Sequence, residues 1–362
     1  QNQRRLSTFD VKSAYVQTPL HEDDRVFCKQ APGFDVRPNS KKPEDMEILK
    51  WFEGLGLTVP DGDGSDVVYR LRRALYGNRN SGRLWQQFLF AWLISEGFDQ
   101  LKSDECIWVY RKDGYDIELY LYVDDILASC ADIASEEYFK GLFESRWDHS
   151  PNSGGLATAL LGMSIYHNEA SGSIALNQAS MIEDIASTFG ATSGRLWQTP
   201  MAEKFDPSYI DEEGDLDTSK YNYRSICGCL LFVVTHTRPD CSTACSMLCS
   251  AMARPQQRHY NAAVRLARYL YLTKDMGLVY SADMTDPLRN KLVAYCDSSW
   301  SSEAGSKSRA GYIVKLNGAT VCYKSKLISS ICLSSAESET SACVMCMKDI
   351  IWLRMLLYEL GY

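Results

Sequence analysis

Apolar residues recur along this chain with two different periods, and the changes of period outline its elements. Residues 81–98 carry Leu84, Trp85, Phe88, Leu89, Trp92 and Leu93 at helical spacing, with Gly97 where a helix would stop. The period then drops to two. Residues 106–111 and 115–123 flank Lys112-Asp113-Gly114, and Asp-Gly supplies the positive φ angles of a tight hairpin turn. Asp124-Asp125 interrupts the pattern, strand character resumes over 126–130, and 136–147 returns to helical spacing. Upstream, 4–9 reads as a short strand ending at Asp10. The polar stretch 39–66, with Pro60-Asp61-Gly62-Asp63-Gly64 inside it, reads as an inserted surface loop.

Downstream, the small residues of 152–159 predict a linker and a domain boundary. A strand over 172–176 and a helix over 178–189, ended by Gly190, lead into a polar stretch at 202–220. Two long helices are predicted over 223–252 and 256–276, with Gly277 stopping the second. Strands at 291–296, 311–316, 320–325 and 328–333 precede a long helix over 336–360, stopped by Gly361. The elements describe an α+β chain in three units, 1–150, 151–285 and 286–362, with no internal repeat.

Hydrophobic content of 45% against 23% charged residues marks a globular rather than a disordered chain. The longest apolar run, near 229–234, is far too short to span a bilayer. Gln1-Asn2-Gln3-Arg4-Arg5 leads into no signal-peptide core, so an intracellular setting, cytoplasmic or nuclear, is expected rather than secretion. With no initiator Met, a processed or partial chain is expected. Thirteen cysteines, odd in number and widely spread, fit reduced thiols. Cys241, Cys245 and Cys249 recur every four residues near Cys227 and Cys229, a packing face of a helix; a zinc knuckle would need CxxC pairs with histidine partners.

The net charge of −8 weighs against nucleic-acid binding, which needs a basic footprint. The charge is unevenly placed, however. Arg70, Arg72, Arg73, Arg79 and Arg83 lie in a stretch without an acid, and Arg254, Arg258, His259, Arg265, Arg268 and Lys274 mark a second one. Solvated helix faces are the alternative reading of both.

Phosphoryl transfer uses two divalent ions roughly 4 Å apart, held by carboxylates that let attacking and leaving oxygens both be neutralised. Magnesium takes oxygen ligands and keeps several waters, so two or three aspartates suffice. Asp124-Asp125 is a candidate pair, although two acids in a turn are also what simple solvation produces. Large apolar residues on both sides, from Leu119 to Leu127, put them at the edge of a buried sheet.

Tyr122-Val123-Asp124-Asp125 resembles the catalytic box of reverse transcriptases, and further stretches resemble the copia type of retrotransposon Pol polyprotein. These are Asp10-Val11-Lys12-Ser13-Ala14-Tyr15, Gln30-Ala31-Pro32-Gly33-Phe34, Arg70-Leu71-Arg72-Arg73-Ala74-Leu75-Tyr76-Gly77 with Trp85, Leu161-Gly162-Met163, Tyr223-Arg224-Ser225-Ile226-Cys227-Gly228 and Thr237-Arg238-Pro239-Asp240. The resemblance implies a reverse-transcriptase palm in 1–150, a helical thumb or connection region in 151–285 and an RNase H-like domain in 286–362. It makes Asp10, Asp124 and Asp125 the ligands of two Mg2+ ions for RNA-directed DNA synthesis. Tyr15 would abut the sugar 2′ position, though it also suits a core aromatic. Gly77, Arg79 and Tyr122 would meet template–primer and dNTP. One departure stands in the second motif, where Arg79-Asn80-Ser81-Gly82 replaces the family's Lys-Gln-Ala-Pro.

Ala294-Tyr295-Cys296-Asp297-Ser298-Ser299-Trp300, Ser308-Arg309-Ala310-Gly311-Tyr312, Tyr323-Lys324-Ser325-Lys326 and Leu333-Ser334-Ser335-Ala336-Glu337-Ser338-Glu339 resemble the family's RNase H segment. By that likeness Asp297 and Glu339 are metal ligands. The other reading of Glu337 and Glu339 is a pair of acids at the positive end of a helix dipole. Asp349 lies ten residues beyond Glu339, about 15 Å along a helix. The remaining RNase H carboxylates would fall past Tyr362, so RNase H activity is not expected of this chain alone. Nine residues precede Asp10, too few for the fingers that grip a triphosphate. The alternative expectation is a non-catalytic copy serving as a structural subunit of a larger protein assembly.

Overall fold

The computed structural model describes residues 4–21, 26–29, 68–168, 171–210, 214–281 and 291–362, with Met46 and Lys50. Apart from those two residues, the insertion expected over 39–66 lies outside them. Strand β1 (Arg5–Asp10) and the short helix α1 (Ala14–Gln17) precede the paired strands β2 (Phe27–Lys29) and β3 (Val68–Arg70). Helix α2 (Ser81–Ser95) is followed by β4 (Asp99–Gln100), β5 (Ile107–Lys112), β6 (Tyr115–Tyr122), β7 (Asp125–Cys130), helix α3 (Ile133–Arg146) and β8 (Gly155–Leu156). Six strands make one antiparallel sheet in the order β4-β5-β6-β7-β1-β8. The stretch expected as a linker therefore carries that sheet's edge strand, Leu156 pairing with Ser7.

Local chemistry accounts for these elements. Asp113 (φ 54°) and Gly114 (φ 84°) are both left-handed at the β5–β6 turn, as a two-residue hairpin of the primed type requires. Helix α3 begins where the Asp132 side chain accepts from the Ser135 amide (2.8 Å), filling one of the donors a helix start leaves open. The apolar face of α2 buries Trp85, Leu89, Trp92 and Leu93 against Phe9, Leu119 and Ile126 of the sheet and Phe139 and Phe143 of α3. Each side chain so buried contributes about 1.5–3 kcal/mol.

Four short strands, β9 (Ala159–Leu160), β10 (Met163–Asn168), β11 (Ser173–Asn177) and, later, β12 (Leu278–Tyr280), form a second antiparallel sheet. Between β11 and β12 come α4 (Ala179–Thr188), α5 (Tyr223–His236), α6 (Ser242–Ser250) and α7 (Gln257–Leu272), which share one core. The single helix expected over 223–252 is two, because Pro239 opens a 3-10 turn (Pro239–Cys241) at the place where its missing N–H would break an α-helix. Gly277 does not cap a helix. Helix α7 ends at Leu272, and a Cβ at Gly277 would come within 2.0 Å of the Leu176 carbonyl oxygen, so this glycine permits close approach to β11. All thirteen cysteines are free. Hydrogen bonding to Cys249, then burial, pushes the thiols of Cys227 and Cys245 up, as suits core packing.

The third sheet is a meander of β13 (Leu292–Glu303), β14 (Lys307–Leu316) and β15 (Ala319–Leu327), covered by the long helix α8 (Ser335–Glu359). Residues 328–333, expected as a strand, are an irregular connection instead. Ile328 and Cys332 are buried as anchors, and the Trp300 indole donates to the Cys332 carbonyl (3.0 Å). Among the described residues no helix is long and apolar enough to cross a membrane.

Helix α8 reaches past its own sheet. Its end places Leu356 and Leu360 against Leu101, Ile107 and Val109, which covers the second face of the six-stranded sheet. This is why β5 buries four consecutive residues, Ile107 to Tyr110, instead of alternating.

Candidate active site

β7 lies between β6 and β1, and its register sets Asp125 opposite Asp10 on one side and opposite Tyr122 on the other. Directly opposed residues of an antiparallel pair point to the same face with Cβ atoms about 4.5–5.5 Å apart. Tyr122, Asp125 and Asp10 thus form a row across three strands. Asp124 stands beside it in the β6–β7 turn, where its carbonyl accepts from the Val11 amide (3.2 Å). Aspartates far apart in the chain therefore meet at one end of the central strands.

The turn itself is strained. Val123 has φ 57°, a left-handed conformation that a β-branched residue adopts only when its surroundings impose it, at a cost on the order of 1–3 kcal/mol. The indole of Trp85 donates to the Val123 carbonyl at 2.6 Å.

Asp10 is held by two serines that follow α3. Its amide donates to Ser153 Oγ (3.2 Å), and its carboxylate accepts from the Ser150 hydroxyl. A cavity of about 310 Å³ opens here, lined by Thr8, Asp10, Asp125, Ser150, Asn152 and Ser153 among others.

Burial, followed by the nearby Asp124 and Asp10 carboxylates, holds the Asp125 carboxyl above the ordinary range. Burial and then Asp124, Tyr15 and Asp10 push the Tyr76 phenol up, so Tyr76 and Tyr15 border the same cluster. Their rings lie 4.7 Å apart. Gly77 (φ 92°) and an exposed Arg79 follow in the loop leading into α2, and Arg72, Arg73 and Arg83 are exposed on either side.

Among the described residues, no three His, Cys, Asp or Glu side chains stand close enough to grip one metal ion as they are. The acids at this seam still form a hard-oxygen donor set carrying uncompensated negative charge. That suits a magnesium ion, which is commonly bound by one or two carboxylates and completed by water and substrate phosphates.

A family model described as reverse transcriptase (RNA-dependent DNA polymerase) matches residues 54–203, which contain the Asp124-Asp125 turn. The Pol polyprotein of transposon TNT 1-94 from Nicotiana tabacum is 28% identical over 98% of this chain and 25% of its own length. That of transposon RE2 from Arabidopsis thaliana is 28% identical over 98% of the chain and 22% of its own length. Over nearly its whole length the chain is similar to the Pol polyproteins of copia-type retrotransposons. The Gag-Pol polyprotein of transposon Ty1-DR5 from Saccharomyces cerevisiae is a more distant relative, 23% identical over 77% of the chain. The chain spans about a quarter of the length of the tobacco polyprotein it matches.

Elsewhere in the chain, the acids read from the sequence as a second site are not brought together. The Tyr312 hydroxyl donates to Asp349 of α8, and Tyr312 pairs with Cys296; the Ser298 and Ser338 hydroxyls are 2.8 Å apart. Cys296 and Ser298 therefore face α8. Arg309, which pairs with Ser299, instead donates to Ser246 of α6 (2.7 Å). Alternation turns Asp297 to that same side, so the sheet separates it from Glu339 on α8. Glu337 serves the helix start: its amide donates to Ser334 Oγ (3.2 Å), and its carboxylate accepts from the Leu333 amide (2.6 Å).

Sequence reasoning missed Ser150, Ser153 and Tyr76 as neighbours of the acids. It took Trp85 as a core residue and a motif marker only. The serines carry no motif, and only the fold brings them to β1.

Proposed function

We propose that this chain carries the polymerising centre of an RNA-directed DNA polymerase, with Asp10, Asp124 and Asp125 as its acids and β1, β6 and β7 as its palm. The observation that carries the reading is the register that sets Asp10 opposite Asp125, with Asp124 in the adjoining turn. When bound there, Mg2+ would neutralise charge on the attacking and leaving oxygens of nucleotidyl transfer. The chain's own residues bind and orient. Asp10 and Asp125 present carboxylates from paired strands, and Ser150 fixes the Asp10 carboxylate. The Tyr15–Tyr76 pair borders the acids, where it would meet the sugar of an incoming dNTP. Arg72, Arg73, Arg79 and Arg83 are exposed cations suited to template–primer phosphates.

Asp297 and Glu339, on opposite faces of their sheet, give no support to RNase H chemistry. Primer extension on a poly-rA template tests the polymerase reading. Incorporation by the native chain should fall at least about 100-fold in Asp124→Asn. Equal incorporation by both would refute the assignment.

A further inference from the structure

The acidic turn is held in an unfavourable backbone conformation, and contacts from outside the hairpin help to hold it. Val123 is left-handed although its side chain is 47% exposed, so no burial of the valine drives the geometry. Its carbonyl is gripped instead, by the Trp85 Nε1–H at 2.6 Å. Trp85 is 1% exposed, and an indole N–H so buried needs a partner.

The indole cannot move freely. Its ring packs edge-on against Trp147 (5.1 Å), which also holds Trp92 edge-on (5.5 Å). On the other side of the turn, the Val11 amide holds the Asp124 carbonyl. Helix α2 and Val11, the residue that follows strand β1, thus clamp two consecutive carbonyls, and the carboxylates of Asp124 and Asp125 extend from the clamped segment.

We infer that Trp85 is a positioning residue: its indole N–H fixes the Val123 carbonyl so that Asp124 and Asp125 stand ready beside Asp10. The inference rests on the polymerase reading for its purpose, but its structural content can be tested without activity. Phenylalanine at position 85 keeps an aromatic ring in the core and removes only the donor and part of the ring area.

The test compares the native chain, Trp85→Phe and Asp124→Asn. Hydrogen exchange of the peptide spanning 119–127 should be faster in Trp85→Phe, while peptides from α2 and α3 stay as protected as in the native chain. Mn2+ binding, followed by the resonance signal of the free ion, should weaken about tenfold in Trp85→Phe, with kcat falling by a similar factor and KM for dNTP little changed. Unchanged exchange of 119–127 would overturn the role of Trp85, whatever the metal data show. Accelerated exchange with native Mn2+ affinity would also overturn it, since the turn would then loosen without moving the acids. The two readings fail separately. Mn2+ affinity unaltered in Asp124→Asn counts against the polymerase centre, whereas native behaviour of Trp85→Phe alone counts only against the positioning role. If Trp85→Phe does not fold, Trp85→His keeps a ring N–H at the site and should restore slow exchange; failure to do so overturns the inference.

Discussion

Asp125 is the acid whose surroundings oppose its charge most openly, through burial first and then Asp124 and Asp10. An acid whose folded-state affinity for its proton is raised subtracts stability as pH climbs through its unfolded value towards the folded one, and the deficit persists at neutral pH. Asp125→Asn should therefore melt higher than the native chain at pH 7, with the gap closing on acidification to about pH 3, as calorimetry would show. A lower melting point at pH 7 would count against the electrostatic account. Divalent cation should reverse the order by stabilising the native chain and not the variant. At this scale the sequence made Asp124 and Asp125 visible through their apolar flanks and Asp10 through its motif resemblance, while Ser150, Ser153 and Tyr76 lay hidden because nothing local distinguishes them.

Among the elements, those with strong local signals were legible. The Asp113-Gly114 turn and the amphipathic face of α2 stand where the pattern put them, because positive φ and helical spacing are properties of short segments. Other expectations changed. Pro239 splits one predicted helix into α5 and α6. The apolar stretch 328–333 has no ladder partner among the described residues beyond Ile328, whose amide donates to the Ser308 carbonyl (2.8 Å). Gly277 sits at a helix-stop distance in sequence but meets β11 in space. Gly277→Ala should accordingly destabilise the chain by about 1–3 kcal/mol in urea unfolding, since the added methyl meets backbone and not a movable side chain. Gly190→Ala is the contrasting control: its φ is 68° and nothing lies within 4 Å of the new Cβ, so backbone conformation alone opposes it. That control should cost about 1 kcal/mol.

Across the whole molecule, the long helix α8 ties the third sheet to the first. The Trp352 indole donates to the Ser103 carbonyl (3.1 Å), and Arg111 donates to the Leu360 carbonyl (2.7 Å). Beneath this junction Glu118 is 2% exposed, in reach of Arg4 at 3.7 Å and Arg111 at 3.1 Å. Tyr120 and Tyr362 also donate to its carboxylate. Arg4 and Arg111 keep Asp116 as a partner when Glu118 is removed, so Glu118→Ala should destabilise by about 1–3 kcal/mol. Hydrogen exchange in the last turn of α8 should rise with it. A loss confined to β6, with α8 unaffected, would show that the junction does not depend on this carboxylate.

The sequence by itself determined which residues could carry phosphoryl-transfer chemistry, the turn that bears two of them, and the main helices and hairpins, because each depends on side chains a few positions apart. Only the tertiary structure decided that Asp10 faces Asp125, that Asp297 and Glu339 are parted by a sheet, and that an indole from α2 holds the acidic turn. Those outcomes depend on strand order and on which face each strand presents, and strand order is set by packing between segments far apart in the chain.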